Sequence, residues 1–526
     1  MVKDVDIDAR ALAPPLWPSL IACAAAALWV DFGTIHREQH GDSLLYVLIS
    51  LYRWTPFIWE QDRFGMLVPL LASPIKHPLA NLLVQEFLCG FCGLSVFYLL
   101  ARYLLRDATY PAVATLGAAS FLGLAPSYFR FEYLLNTSYG VGLCLGLAGL
   151  IVAEPRPGGL TWRRRAAALV LIVLAHWVNC GTALFLGPLV LLRAMLRFPR
   201  RPAPCRGWPE AGGDRVLEAL RRAFEPEAVH SSLLLALGYA AGMQLMTLSP
   251  HAQTSMSQLP WDAWPTAWRL LARHLGEALT PPYWPMLWGL EGVLGVAWLA
   301  VPGLRRRSGV AWRSAAAAAA TALAIALLMG TLGWVRLNDH HFRYLLPAVI
   351  LGQLAFAAPA VAPLIPAARP VPGRAAMPIA AASTLLLASA ARDGMPSLAG
   401  VRRIIDRRCG AMTAELIDAR CTHLAGDYWS VWPAIFHVNL ALRERGESRV
   451  VWGVTFRASP TYPLWRGMPD GERRVAIPVG DPLGESWLGA YQFPRLVEVE
   501  RRTKVRVLRV ERPHRPLSAR RKEDRP

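Results

Sequence analysis

Apolar runs long enough to cross a bilayer recur along this chain, and they narrow what it can fold into. They fall near 14–30, 79–100, 109–127, 134–153, 166–180, 181–197, 231–248, 283–302, 314–334, 344–365 and 375–391. A bilayer core asks for roughly 20 such residues per helix. The pattern therefore predicts an α-helical polytopic membrane protein with about eleven transmembrane helices. Composition agrees: 54% of residues are hydrophobic and 18% charged, where a soluble domain carries about 25% charged residues. The net charge of +19 does not point to nucleic acid, because the basic residues sit mostly between apolar runs, where the positive-inside rule puts them. The leader MVKDVDIDAR is acidic as well as basic and shows no small-x-small cleavage site, so the first run reads as a retained anchor.

Loop charge sets the expected orientation. With the N-terminus cytoplasmic, the inner loops carry Arg102 and Arg106, Arg163 to Arg165, the large loop 198–230, and Arg305 to Arg307. The first outer loop is then 31–78, and everything after about 392 is extracytoplasmic. Expected divisions are a membrane domain 1–391, a small α/β domain 392–511 and a disordered basic tail 512–526. Within the α/β domain, 401–420 and 427–444 read as helices, 448–456 and 473–480 as strands, and 497–511 as a hairpin. Cys409 and Cys421 share this segment and are read either as a disulfide or as two free thiols.

The chemistry-bearing residues crowd into the outer loops. Asp42 follows Gly41 and opens a helix expected over 42–55, amphipathic and lying in the membrane interface. It reads as a helix N-cap, as a general base, or as both. His36, Glu38, His40 and Asp42 alternate; in an extended segment they would share a face that suits a divalent cation, against the plainer reading of solvated loop polarity. Arg63, Lys76 and Arg343 are cations in outer loops that otherwise avoid them, suited to a lipid phosphate or to anionic headgroups. Glu132 reads as a group that positions a sugar or acceptor, or as a partner of Arg130. His341 stands beside Arg343 in Asn338-Asp339-His340-His341-Phe342-Arg343-Tyr344.

At Asp42-Ser43-Leu44-Leu45-Tyr46 the chain resembles the GT-C superfamily of membrane glycosyltransferases, in the protein O-mannosyltransferase and aminoarabinose-transferase branch. Asp42 and Tyr46 match that branch's first acid and its aromatic, while Ser43 replaces the usual second acid. Asp62-Arg63-Phe64-Gly65 with Pro69 is similar to the branch's glycine-containing turn, and Arg343-Tyr344 with Pro347 to its late arginine–tyrosine–proline motif. The resemblance implies a bacterial inner-membrane glycosyltransferase with a polyprenyl-phosphate-linked sugar as donor and an acceptor on the periplasmic face. Asp42 would be the base; Arg343 with Arg63 or Lys76 would hold the lipid phosphate; Tyr46, Glu132 and His341 would contact sugar or acceptor. No cofactor is implied, with a divalent metal left open. Two other classes stand beside this one. A transporter or flippase predicts charged residues near mid-span, and the spans read as almost free of acids. A non-catalytic assembly protein predicts that Asp42 can be replaced without loss.

Overall fold

A computed structural model describes residues 14–61, 64–105, 109–135, 139–154, 161–195, 226–249, 257–365 and 376–510. The chain divides into two compact units. The first comprises 1–38, 56–68 and 83–401, and the second 39–55, 69–82 and 402–526.

In the first unit every predicted apolar run becomes a helix. These are α1 (Trp17–Asp31), α4 (Pro78–Leu105), α5 (Tyr110–Leu124), α6 (Tyr139–Val152), α7 (Trp162–Val178), α8 (Thr182–Met195), α9 (Pro226–Met246), α11 (Tyr283–Ala300), α12 (Pro302–Gly330), α13 (Leu346–Val361) and α14 (Ala376–Asp393). Between them lie α2 (Gly41–Leu51), α3 (Leu67–Ala72) and α10 (Trp264–Ala278). Among the described residues, four helices are long and apolar enough to cross a membrane, or five if Ser127–Leu135 and Tyr139–Val152 form one bent span. That is fewer than the eleven predicted, because several apolar runs form short helices. α1 has 15 residues, and α7 and α8 are parted at Asn179-Cys180-Gly181, where the Asn179 side chain accepts from the Gly181 N–H at 3.0 Å. α10 is amphipathic, burying only Ala267 and Leu271.

Buried polar groups lock this unit together. Arg130, read as one possible partner of Glu132, makes two hydrogen bonds to Asp393, at 2.7 and 3.0 Å. Both side chains are almost wholly buried, and Thr34 donates to the same carboxylate at 3.3 Å. Removing one partner of a buried pair leaves the other charge stranded, at a cost of about 3–5 kcal/mol. Arg130→Gln and Asp393→Asn should therefore each lower the thermal midpoint of the purified protein sharply, and the double variant should recover part of the loss. The spans are less acid-free than the sequence suggested. Glu291, buried in α11, receives hydrogen bonds from Gln353 at 3.1 and 3.3 Å, while Gln353 accepts from Trp284 at 2.7 Å and from Trp288. Both Glu291 oxygens are held by packing partners, which makes the group a lock between α11 and α13. At Gly65 the backbone N–H donates to the Trp177 carbonyl at 2.9 Å, and a Cβ there would come within 2.6 Å of that oxygen. This close approach requires glycine.

The second unit holds a five-stranded mixed sheet in the order β2-β1-β3-β5-β4. Its strands are β1 (His423–Ala425), β2 (Trp452–Val454), β3 (Arg474–Pro478), β4 (Leu496–Arg501) and β5 (Val505–Val510). β1 runs parallel to β2 and β3, while β3–β5 and the β4–β5 hairpin are antiparallel. The sheet is joined by α15 (Leu398–Asp418), α16 (Tyr428–Glu444) and α17 (Gly484–Ala490). Cys409 and Cys421 are free thiols. α2 belongs to this unit. Nine of its 11 residues are buried, so it does not present the single apolar stripe of an interfacial helix; a helix apolar nearly all round is a core helix. Arg53, just beyond it, donates to the Pro460 carbonyl at 2.8 Å, and Tyr52 packs on Trp452 at 5.3 Å.

β1 carries a pH-sensitive element. His423 is fully buried, edge-on to Trp465 and Phe493 at 4.8 and 5.4 Å. Burial, with Arg473 adding to it, pushes its imidazole down to about 3 from an ordinary 6.5. The folded state thus refuses a proton that the unfolded chain accepts. His423 should weaken the fold as pH falls from about 6.5 to about 3, with a limiting slope of ~1.4 kcal/mol per pH unit. The thermal midpoint of wild type should fall relative to that of His423→Phe as pH falls across that range.

Candidate active site

Asp42 is the second residue of α2. His40 caps this helix, its Nδ1 accepting from the Asp42 N–H at 3.2 Å, so the cap expected of Asp42 is filled two residues earlier. The Asp42 side chain is left for other partners, at a helix end that favours negative charge. Two of these come from the same unit. Tyr428, the first residue of α16, donates its O–H to Asp42 Oδ1. Arg457 donates through Nη1 to the same oxygen at 3.2 Å and to the Tyr428 oxygen at 3.0 Å. Asp42 and Arg457 side chains retain 14% and 13% exposure, so the carboxylate is only partly buried. Arg457 is backed by the Tyr428 and Phe456 rings at 4.9 and 5.2 Å. Its φ of +70° is a strained value for an arginine, a feature that clusters at functional sites.

The electrostatics give each group a role. Burial, reinforced by the Asp42 carboxylate, pushes the Tyr428 phenol well above its usual range, so it remains a donor. The Arg457 guanidinium carries donors and no acceptor. Within this triad the Asp42 carboxylate accepts from both neighbours. Tyr46, one turn along α2, is buried on the same helix face as Asp42. Gly41 lies against the Tyr428 ring, where a Cβ would stand 3.0 Å from it. Neither Tyr428 nor Arg457 was singled out in the sequence, because no local spacing ties residue 42 to residues 428 and 457. The only available signals were an Asp-Tyr pair opening a helix and an aromatic–arginine pair in a turn.

The first unit holds a second arrangement. A cavity in this unit is lined chiefly by apolar side chains, among them Leu143, Phe185, Ile325, Met329, Trp334 and Tyr344. Arg343 directly precedes the lining residue Tyr344 in the short turn Phe342–Leu345. Its Nη2 donates to Asn338 Oδ1 at 3.1 Å and to the Tyr344 hydroxyl at 3.4 Å, and Trp334 Nε1 donates to the same hydroxyl at 2.8 Å. Pro347, also from the arginine–tyrosine–proline segment, lines the cavity. His341 caps the turn, its Nδ1 accepting from the Arg343 N–H at 3.3 Å, stacks on Phe342 and meets Tyr128 edge-on. Glu132 is fully buried in the π-helical turn Phe131–Leu135 rather than in an open loop.

Lys76 is exposed in a turn of the second unit, and Arg63 lies outside the described residues. His36, Glu38, His40 and Asp42 do not form the extended stretch needed for a shared face, since Thr34–Glu38 is a 3-10 turn and His40 and Asp42 belong to the helix start.

No family model matches the chain, and no curated protein matches it. Among solved structures it is similar to ArnT from Cupriavidus metallidurans, crystallised bound to undecaprenyl phosphate, at 13% identity and a TM-score of 0.46, over 93% of this chain and 97% of that one. The likeness is distant, and the functional reading rests on this chain's own residues.

Proposed function

We propose that this protein is a membrane glycosyltransferase that moves a sugar from a polyprenyl-phosphate-linked donor to an acceptor at the extracytoplasmic face. The observation that carries the reading is the apolar cavity together with Arg343, whose guanidinium donates to the hydroxyl of the lining residue Tyr344. An apolar slot accepts a hydrocarbon chain, and a guanidinium is the side chain best shaped to take a phosphate. Together they suit an amphiphile with an anionic head.

In this reading Arg343 binds the phosphate and stabilises the charge that grows on it as the sugar–oxygen bond breaks. Asp42 takes the acceptor hydroxyl's proton as that oxygen attacks the sugar carbon, with Tyr428 and Arg457 fixing the carboxylate. Positioning and charge stabilisation then supply most of the rate gain. Glu132 is assigned to sugar or acceptor placement through the turn it occupies, and the outward orientation follows the loop charges.

A second reading has its own support: Asp42 Oδ1 accepts from two residues of its own unit, as a carboxylate that only fastens α2 would. The test is turnover. Purified protein in lipid nanodiscs, given a panel of polyprenyl-phosphate-linked sugars, should release free polyprenyl phosphate with at least one of them. Failure to bind or turn over any of the panel would remove the enzyme reading.

A further inference from the structure

Asp31, His36 and Glu86 meet in the interior of the first unit, and nothing in the proposed transfer reaction uses them. Asp31 ends α1, His36 sits in the 3-10 turn Thr34–Glu38, and Glu86 lies in the third turn of α4. Each is only 1% exposed. One ligand atom from each of the three falls within 4.8 Å of the others.

The histidine's geometry gives this cluster direction. His36 Nε2 lies 2.5 Å from the Asp31 main-chain carbonyl. A carbonyl only accepts, so Nε2 carries the proton. The other nitrogen, Nδ1, is then turned toward Glu86 Oε2 at 3.2 Å. A ring nitrogen and a carboxylate oxygen both bring lone pairs to that gap, and a cation must lie between them: either a proton or a metal ion. Metal-bound histidines characteristically donate their second N–H to a backbone carbonyl or carboxylate, which fixes the tautomer, and His36 has this arrangement. An independent observation favours the metal. Asp31 Oδ1 is buried without a hydrogen-bond partner among the described residues, and a buried carboxylate oxygen with nothing to accept is costly.

We propose that Asp31, His36 and Glu86 form a binding site for one divalent first-row cation, of the zinc or manganese class, with water completing the shell. One imidazole nitrogen and two carboxylates suit such ions better than magnesium or calcium, which favour all-oxygen shells. The ion would clip the end of α1 and the following turn to α4, a structural role that goes beyond the glycosyltransferase reading and does not depend on it.

The test uses the full-length protein in detergent, stripped with chelator and then titrated with Zn²⁺, Mn²⁺ and Co²⁺. The expected result is uptake of about one equivalent, a raised thermal midpoint, and an anomalous-scattering peak at the zinc edge between the three side chains. His36→Gln should lose the bound equivalent, and Asp31→Asn and Glu86→Gln should each weaken it by more than about tenfold. If wild-type protein takes up no stoichiometric metal, a proton fills the gap and the site is refuted. A peak elsewhere, or uptake unchanged in all three variants, overturns it equally. The wild-type measurements decide the matter even if a variant fails to fold.

Discussion

Asp42→Asn is expected to lower sugar transfer about 10²–10⁴-fold, the usual contribution of a positioned general base, while the protein stays folded and still binds lipid donor. The amide keeps the side chain's size and can still accept from Tyr428 and Arg457, which contact Asp42 Oδ1. It cannot take a proton from an attacking hydroxyl. Tyr428→Phe separates catalysis from fastening. It removes one O–H donor from a neighbour that Arg457 still holds at 3.2 Å, and the loss should be about 1 kcal/mol of stability with activity falling no more than about tenfold. Turnover at several substrate concentrations together with thermal melts checks both variants. If Asp42→Asn turned over at the wild-type rate, or its activity fell only in step with its melting temperature, Asp42 would be a fastening residue and the catalytic assignment would go.

Arg343→Ala should weaken the apparent affinity for the lipid-linked donor about 10- to 100-fold, the weight of a charge-assisted hydrogen bond to phosphate. Arg343→Lys should fall between, because an ammonium keeps the charge but loses the planar fork. The two readouts differ in meaning. A rise in KM alone marks phosphate binding in the ground state, whereas a fall in kcat marks stabilisation of the leaving phosphate. Since His341 caps the turn through its contact with the Arg343 N–H, His341→Ala should reproduce a weaker version of the same defect. Equal donor affinity in Arg343→Ala and wild type would mean that Arg343 does not hold the phosphate.

Much of the fold was legible from local pattern, and its failures share a cause. Apolar runs dictate helices because their periodicity and length are local, so 14–30 and 79–100 become α1 and α4 nearly residue for residue. The segments 473–480 and 497–511 likewise become β3 and the β4–β5 hairpin. β1 was missed because three residues between two helices leave no alternation to read. α2 was placed at the membrane interface because its leucines recur with helical spacing, but its partners Tyr428 and Arg457 stand 386 and 415 residues downstream. Arg130 was read as one possible partner of Glu132 by proximity, yet its carboxylate partner Asp393 is 263 residues away. Sequence spacing reports neighbours along one element and is silent on which elements fold together. The candidate base could therefore be named from its position, while the residues that hold it could not.

The measurement that tests the central claim most directly is photo-crosslinking of a diazirine-bearing polyprenyl phosphate to the protein in nanodiscs, with the modified residues mapped by mass spectrometry. The account predicts labels concentrated on cavity residues such as Leu143, Phe185, Ile325 and Met329, displaced by unlabelled polyprenyl phosphate and much reduced in Arg343→Ala. Labels spread evenly over the exposed apolar helices, or indifferent to competitor and to residue 343, would contradict it.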